Sequence, residues 1–236
     1  MALKILLTND DGIEALGLKL LYEKAKRYGD VYVVAPKNNQ SAKSHSIVIS
    51  HGFEVMKSNL YPNAYSVDST PADCVRYAYY GLGLDFDIVF SGINNGFNLG
   101  DDIAYSGTVS AAIEARMMNK KAIAFSCPFY SFDGISYFEK TLDYIFENLI
   151  DIAPLLNVNF PVDPKGIKIT KQGYLHYNTY FEEKDGLVYQ MGKPDYSKEA
   201  GKPLSDVACV YENYVSITPL TAEKTDIELL NKILNK

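Results

Sequence analysis

Apolar residues fall in two alternating rhythms over the first two thirds of the chain. Residues 3–7, Leu-Lys-Ile-Leu-Leu, form a short, mostly apolar run that suits a strand buried on both faces. Leu18, Leu21, Tyr22 and Ala25 then recur at i, i+3, i+4 and i+7, the stripe of one helix face. Residues 31–35 make a second buried strand, stopped by Pro36, and residues 37–46 are polar and aperiodic. Residues 46–50 and 64–67 read as strands. Thr70-Pro71-Ala72-Asp73 opens a helix with a capping hydroxyl, a proline at the first position and an acid in the first turn. Its buried stripe is Val75, Ala78, Tyr79 and Leu82. Residues 87–93 are the next strand, 92–107 a Gly- and Asn-rich loop, 108–118 a helix and 121–126 a strand. Ser136 and Glu139 read as a capping box for a helix buried through Leu142, Ile145, Phe146 and Leu149.

Strands that alternate with helices predict an α/β fold, a doubly wound parallel sheet covered on both faces. The rhythm changes near residue 160. Residues 167–170, 174–181, 187–190 and 215–218 read as strands, with Asp185-Gly186 as a hairpin turn. Thr225 and Glu228 read as the cap of a last helix that carries Leu230, Ile233 and Leu234. The division expected is an α/β domain over 1–160 and a β-rich extension with hairpin and terminal helix over 161–236. A lone hairpin buries little of its own apolar surface, so the extension is expected to pack on another subunit.

Composition narrows the partners. With 236 residues, 47% hydrophobic and 22% charged, the chain has the profile of a soluble globular protein. Its 23 basic and 29 acidic residues give a net charge of −6, the wrong sign for a nucleic-acid or anionic-membrane surface. Cys74, Cys127 and Cys209 are odd in number and share no C-x-x-C, which points to free thiols in a reducing cytoplasm. There is no signal peptide and no run long enough to span a bilayer.

Open parallel sheets bind ligands at the carboxyl ends of their strands. The sequence places Thr8-Asn9-Asp10-Asp11-Gly12 after the first strand, Asn38-Asn39-Gln40-Ser41 after the second, and Ser91-Gly92-Ile93-Asn94-Asn95-Gly96 with Asn98, Asp101 and Asp102 after a third. Adjacent Asp10 and Asp11 at a buried strand end repel each other unless a cation lies between them. Asp, Asp, Ser and Asn are oxygen donors, the set a hard cation such as Mg2+ takes. The plainer reading of Asn-Asp-Asp-Gly is a helix cap and turn. Ser106-Gly107-Thr108 precedes a helix, where a phosphate or a simple cap fits equally. A dication beside an anion-binding helix end suggests phosphoryl chemistry. Dinucleotide, P-loop and nucleophile-elbow motifs are absent. His45 reads as a solvated loop histidine.

These motifs together, with Val34-Ala35-Pro36, Gln40-Ser41, Thr70-Pro71-Ala72-Asp73-Cys74-Val75, Asn98-Leu99-Gly100-Asp101-Asp102 and Tyr105-Ser106-Gly107-Thr108-Val109, resemble the SurE (survival protein E) family of 5′/3′-nucleotidases. The likeness extends to Leu156-Asn157-Val158-Asn159-Phe160-Pro161 and Tyr214-Val215-Ser216-Ile217-Thr218-Pro219-Leu220. It implies a Rossmann-like three-layer sandwich and a divalent-metal-dependent phosphomonoesterase acting on nucleoside monophosphates. It further implies one Mg2+ or Mn2+ per subunit and a homodimer or homotetramer built by exchange of the C-terminal hairpin and helix. By the same likeness Asp10, Asp11, Ser41 and Asn94 hold the metal, with Asp10 or Asp11 acting on the water. Asn9, Asn98, Ser106, Gly107 and Thr108 lie on the substrate side. Leu16, Ala42, Ser69 and Phe97 depart from the family's usual residues, at loop positions that bear on base preference. Rival readings are a broad small-molecule or polyphosphate phosphatase and a non-catalytic nucleotide- or metal-sensing module.

Overall fold

The computed structural model describes residues 2–235, and its centre is a nine-stranded sheet. In chain order the elements are β1 (Leu3–Thr8), α1 (Leu16–Ala25), β2 (Gly29–Pro36), β3 (Val55–Ser58), β4 (Ala64–Val67), α2 (Pro71–Arg76), β5 (Ile88–Asn95), α3 (Gly107–Met117), β6 (Lys121–Cys127), α4 (Phe138–Asn148), β7 (Leu155–Asn159), β8 (Ile167–Ile169), β9 (Tyr180–Lys184), β10 (Leu187–Met191), α5 (Asp206–Tyr211), β11 (Val215–Pro219) and α6 (Ile227–Leu234). The sheet order is β3-β4-β2-β1-β5-β6-β7-β11-β8. β4, β2, β1, β5, β6 and β7 run parallel. β3 and β11 pair antiparallel to their neighbours β4 and β7.

From β1 the chain moves out to β2 and then returns to β5 on the other side of β1, so the topological switch lies between β1 and β5. A cleft opens at such a point, at the carboxyl ends of the strands. The alternation of side chains along each strand feeds two cores. Ile5, Leu7 and Phe90 pack with Leu18 and Leu21 of α1 and Leu142 and Ile145 of α4. Leu6, Val34 and Val89 pack with Val75 of α2 and Val109 and Ala112 of α3. Three layers result, helices on both faces.

Several local expectations change. Residues 46–50 are irregular rather than a strand. Their polar atoms turn to α2: the Val48 N–H donates to Asp73 Oδ2 at 2.9 Å, and Thr70 Oγ1 donates to the Ser46 carbonyl at 2.7 Å. Ser136 does not cap α4, which follows a 3-10 turn, Asp133–Tyr137, with no side-chain cap. Glu139 instead ion-pairs with Lys24 of α1 at 2.8 Å, across the helical layer. Asp226, not Thr225, caps α6 by accepting from the Leu229 N–H at 2.8 Å. The strand read over 174–181 begins only at Tyr180. Strand β5 continues to Asn95, two residues past its expected end.

The residues after 160 divide between the main sheet and a separate two-stranded hairpin. β11 and β8 extend the main sheet, with Val215 and Ile217 buried in its core. What leaves the body is the β9–β10 hairpin, turning at Asp185 and Gly186 with φ of +53° and +74°, and α6. Both hairpin strands are exposed along their whole length, and α6 buries no residue. Phe181, Leu187, Val188 and Met191 on the hairpin, and Ile227, Leu230, Ile233 and Leu234 on α6, are apolar and exposed. Among the described residues, no helix is long and apolar enough to cross a membrane.

Candidate functional site

β1 delivers Asp10 and Asp11 to the switch point. Thr8 pairs with Ser91 across the β1–β5 ladder, so the two strands end side by side. The register of β5 against β6 shifts between Ser91 and Asn94. That irregularity lifts Asn94 and Asn95 beside the β1 end, a common way to re-aim a side chain next to a site. From β2, the Gln40 N–H donates to the Asp10 carbonyl at 2.7 Å and brings Ser41 alongside. Asp10, Ser41, Asn94, Asn98, Asp102, Tyr105 and Ser106 line one cavity of about 190 Å3. Asp11 faces an adjoining recess with Asn95, Leu16 and Tyr130.

Asp10 is almost fully buried. Burial pushes its carboxyl up to about 6, against the hydroxyl of Thr108, which donates at 2.6 Å, and with a smaller push from Asp11. Desolvation thus outranks the carboxylate repulsion that the sequence alone suggests. Asp11 is raised for the same first reason and restrained by the Asn95 N–H, which donates to its Oδ2 at 3.2 Å. Asn39 Nδ2 donates to the other oxygen at 3.3 Å.

The start of α3 serves Asp10 first. Ser106 is its N-cap, accepting from the Val109 N–H at 3.0 Å. Both the hydroxyl and the backbone N–H of Thr108 favour the ionised Asp10 carboxyl. A Cβ on Gly107 would lie 3.0 Å from Asp10 Cβ and 3.2 Å from its Oδ2. Gly107 is there because a carboxylate packs against the helix end, which an anion favours. Ser106 also lines the cavity, so the cap faces the same space as Asp10.

Two residues expected on the substrate side are tied into the fold by hydrogen bonds. Asn9 is fully buried; its Nδ2 donates to the Gly12 carbonyl at 2.8 Å, and it supports the turn from beneath. Asn98 donates through Nδ2 to Ser126 Oγ at 2.8 Å, and its carbonyl accepts from Asn157 at 2.8 Å and Asn159 at 3.1 Å. It still lines the cavity, on a base of asparagines from β7.

His45 is not a solvated loop histidine. Its Nε2 lies 2.7 Å from Glu114 Oε2 on α3, and Arg76 of α2 donates to the other oxygen at 2.8 Å. Ser44 Oγ donates to the Ala104 carbonyl at 2.7 Å. These contacts pin the loop that carries Ser41, and no local sequence signal marks the pairing across 69 positions.

The donor set suits a hard divalent cation. Asn94 Nδ2 donates to the Gly96 carbonyl at 2.8 Å, which leaves its oxygen as the free atom. The Ser41 N–H donates to Asn39 Oδ1 at 2.8 Å and fixes that residue's backbone. Two carboxylates, an amide oxygen and a hydroxyl remain, all oxygen. Among the described residues, no group of three or more His, Cys, Asp and Glu offers another metal site. The three cysteines are free and buried; burial raises Cys74 well above the usual thiol range and Cys127 and Cys209 to about 12.

Comparison with known proteins points to one family. The family model "Survival protein SurE" matches residues 5–179. The 5′-nucleotidase SurE of Vibrio cholerae serotype O1 is 37% identical, over 98% of this chain and 96% of its own. That of Clostridium botulinum is 39% identical, over 98% and 97%. The crystal structure of the SurE protein from Aquifex aeolicus superposes with a TM-score of 0.81 at 33% identity, covering 99% of this chain and 100% of that one.

Proposed function

The chain belongs to the survival protein SurE family, and we propose that it is a divalent-metal-dependent phosphomonoesterase that releases phosphate from nucleoside 5′- and 3′-monophosphates. One observation carries the reading. The Asp10 carboxylate just past β1, the Asn94 amide at the end of β5 and the Ser41 hydroxyl after β2 line one cavity at the switch point of a doubly wound sheet, and the Asp11 carboxylate faces an adjoining recess. The named relatives are 5′-nucleotidases, and the chemistry of this donor set fits theirs.

In this reading Asp10, Asp11, Ser41 and Asn94 hold one Mg2+ or Mn2+ per subunit. When bound, the cation supplies positive charge to the phosphoryl oxygens and acidifies water. Asp10 or Asp11 would orient a water molecule and accept its proton. Thr108 Oγ1 fixes the Asp10 carboxyl, so little reorganisation is needed at the moment of reaction. Ser106 and Asn98 face the phosphate from the opposite wall. A net charge of −6 is compatible with an anionic substrate because the attraction is local to the cation.

The apolar hairpin and α6 support a further part of the proposal. Neither can stabilise itself alone in water. We assign them to a second copy of the chain, in a homodimer or homotetramer of cytoplasmic enzyme, with the hairpin and α6 as the exchanged parts of the 161–236 extension.

The test is Asp10→Asn and Asp11→Asn, assayed for phosphate release from nucleoside monophosphates with added Mg2+ or Mn2+. Loss of a partner one shell out from a metal reduces activity by roughly 10–100-fold; losing a ligand is expected to exceed that. Wild-type turnover in both variants, or release unaffected by EDTA, refutes the reading. Binding without release identifies a sensing module. Equal rates on polyphosphate and nucleotides identify a broad phosphatase.

A further inference from the structure

The loop between β5 and α3, which carries Asn98 and Ser106, rests on residues that follow position 160. Leu99 packs into a small apolar cluster separate from the two cores, with Leu175 and with Val207 and Val210 of α5. Beside that cluster is Asp206, the first residue of α5 and fully buried. Its Oδ2 accepts from the Gly100 N–H at 3.0 Å, and its Oδ1 accepts from the N–H groups of Gly173 at 2.7 Å and Val207 at 2.8 Å. Burial raises the carboxyl, and the three N–H groups oppose that rise, Gly100 foremost. Gly100 is itself buried, with a φ of +50°, and Gln172 Nε2 donates to its carbonyl at 3.0 Å. Both backbone polar groups of one loop glycine are thus held by side chains 106 and 72 positions away.

We propose that Asp206 is a positioning residue for the phosphate side of the site, and that it acts by fixing Gly100. This role rests on the nucleotidase reading above and deepens it.

The path from Gly100 to the cavity is short and stiff. Asn98 lies two residues before it. After it comes a 3-10 turn, Gly100–Ala104. The Asp102 N–H donates to the Leu99 carbonyl at 3.0 Å and the Tyr105 N–H to the Asp102 carbonyl at 3.1 Å, and Ser106 follows directly. There is no slack behind the turn: a Cβ on Gly100 would lie 2.9 Å from the Leu175 nitrogen. A buried N–H without an acceptor is costly, so the Asp206 carboxylate favours the one arrangement in which Gly100 meets it. The proposed metal ligands hang elsewhere. Asp10 and Asp11 follow β1, Gln40 holds the Ser41 loop to the Asp10 carbonyl, and Asn94 is fixed on the ladder of β5 and β6. Asp206 therefore bears on the phosphate and not on the cation. The residues after 160 supply the support under one wall of the site, besides any part in assembly.

Asp206→Asn tests this at one atom. The amide has the same shape, but one acceptor oxygen where the carboxylate has two. With that oxygen kept on Gly173 and Val207, its NH2 faces the Gly100 N–H, and two donors meet. Loss of the acceptor of a buried N–H shifts an equilibrium by roughly 5- to 150-fold. Hydrogen exchange of amides 99–105 is expected to speed up by a factor in that range, with amides 37–46 unchanged. With Mn2+ present, the calorimetric Kd for inorganic phosphate and the KM for AMP are expected to rise about tenfold, through misplacement of Asn98 and Ser106. The loss is expected in KM with kcat kept, as for an interaction made equally in ground and transition states. Affinity for Mn2+ alone, read from the electron paramagnetic resonance of the free ion, is expected to match wild type. Gln172→Ala removes the second bond to Gly100 from an exposed side chain. It is expected to act in the same direction, more weakly, and it decides the matter if Asp206→Asn does not fold. Wild-type phosphate affinity in the folded variants overturns the positioning role. So does an equal loss of phosphate and Mn2+ affinity with a lower Tm, which makes Asp206 a structural residue only. Phosphate binding without hydrolysis in wild type, weakened in the variants, sinks the nucleotidase reading and leaves the positioning role standing.

Discussion

Gly107→Ala separates the fold from the site more sharply than any ligand substitution. Gly107 is the first residue of α3, with an ordinary negative φ, so the backbone itself accepts alanine. Such a change taken alone stabilises by about 0.4–1 kcal/mol through the unfolded chain. The added Cβ, however, lies 3.0 Å from Asp10 Cβ and 3.2 Å from both Asp10 Oδ2 and Pro71 Cγ. Optimal carbon contacts are about 3.5–4.0 Å, so Asp10 or α3 must move by several tenths of an ångström. Overpacking of this kind costs about 1–3 kcal/mol. The sum is a net loss of about 1–2 kcal/mol, or a Tm lower by roughly 2–8 °C for a chain of this size. Activity responds more strongly, because catalytic groups tolerate only about 0.5 Å of displacement and a misplacement of about 1 Å removes about a hundredfold. The expected kcat is roughly tenfold or more below wild type in a protein that is folded at assay temperature. Gly52→Ala, whose Cβ meets nothing within 4 Å, is the control and is expected to keep kcat and to raise Tm slightly. Metal-supported phosphate release and thermal unfolding, measured on both variants, decide the matter. A wild-type kcat in Gly107→Ala refutes the packing of α3 on Asp10.

Two further outcomes test the frame around the site. Burial alone would lift Glu114, but hydrogen bonds from His45 and Arg76 outweigh it and hold the carboxyl below its ordinary value. Its stabilising contribution is therefore complete above the unfolded pKa near 4.3 and is lost as pH falls through the lower folded value. Glu114→Gln is expected to lower Tm at pH 7 by an amount equivalent to about 2 kcal/mol, the scale of one charged hydrogen bond, and to flatten the decline between pH 5 and 3; an unchanged acid slope contradicts the triad. Deleting residues 222–236 removes α6, none of which is buried within the subunit. Light scattering is expected to show a smaller assembly with the α/β core still folded, and an unchanged mass counts against exchange of this helix.

The parallel body was legible from β1 to β6 because each strand there, the edge strand β3 excepted, is a short run with at least three buried residues, ended by Pro, Gly or a polar pair, whereas β7, its apolar run broken by Asn157 and Asn159, went unread. β3 and α5 escaped notice for opposite reasons. β3, Val-Met-Lys-Ser, is a half-exposed edge strand with no period-2 alternation. α5 is six residues long, too short for a helical stripe to repeat. The site divides the same way. Of the proposed ligands, Asp10, Asp11 and Ser41 follow strands that the pattern reveals and Asn94 lies at the end of another, so the switch-point rule points to them without any knowledge of contacts. What sequence cannot show is which group turns toward which. Thr108 and Asp10 are 98 positions apart, and the hydroxyl that reads as a phosphate contact is committed to the carboxylate at 2.6 Å. His45 and Glu114 meet only because α2 and α3 pack on the same face of the sheet. The residues proposed to do chemistry are placed by strand ends, which are local and therefore readable. Those that hold them still are placed by helix packing, which is not, and the acid slope of Glu114→Gln and the kcat of Gly107→Ala are the measurements that reach this second set.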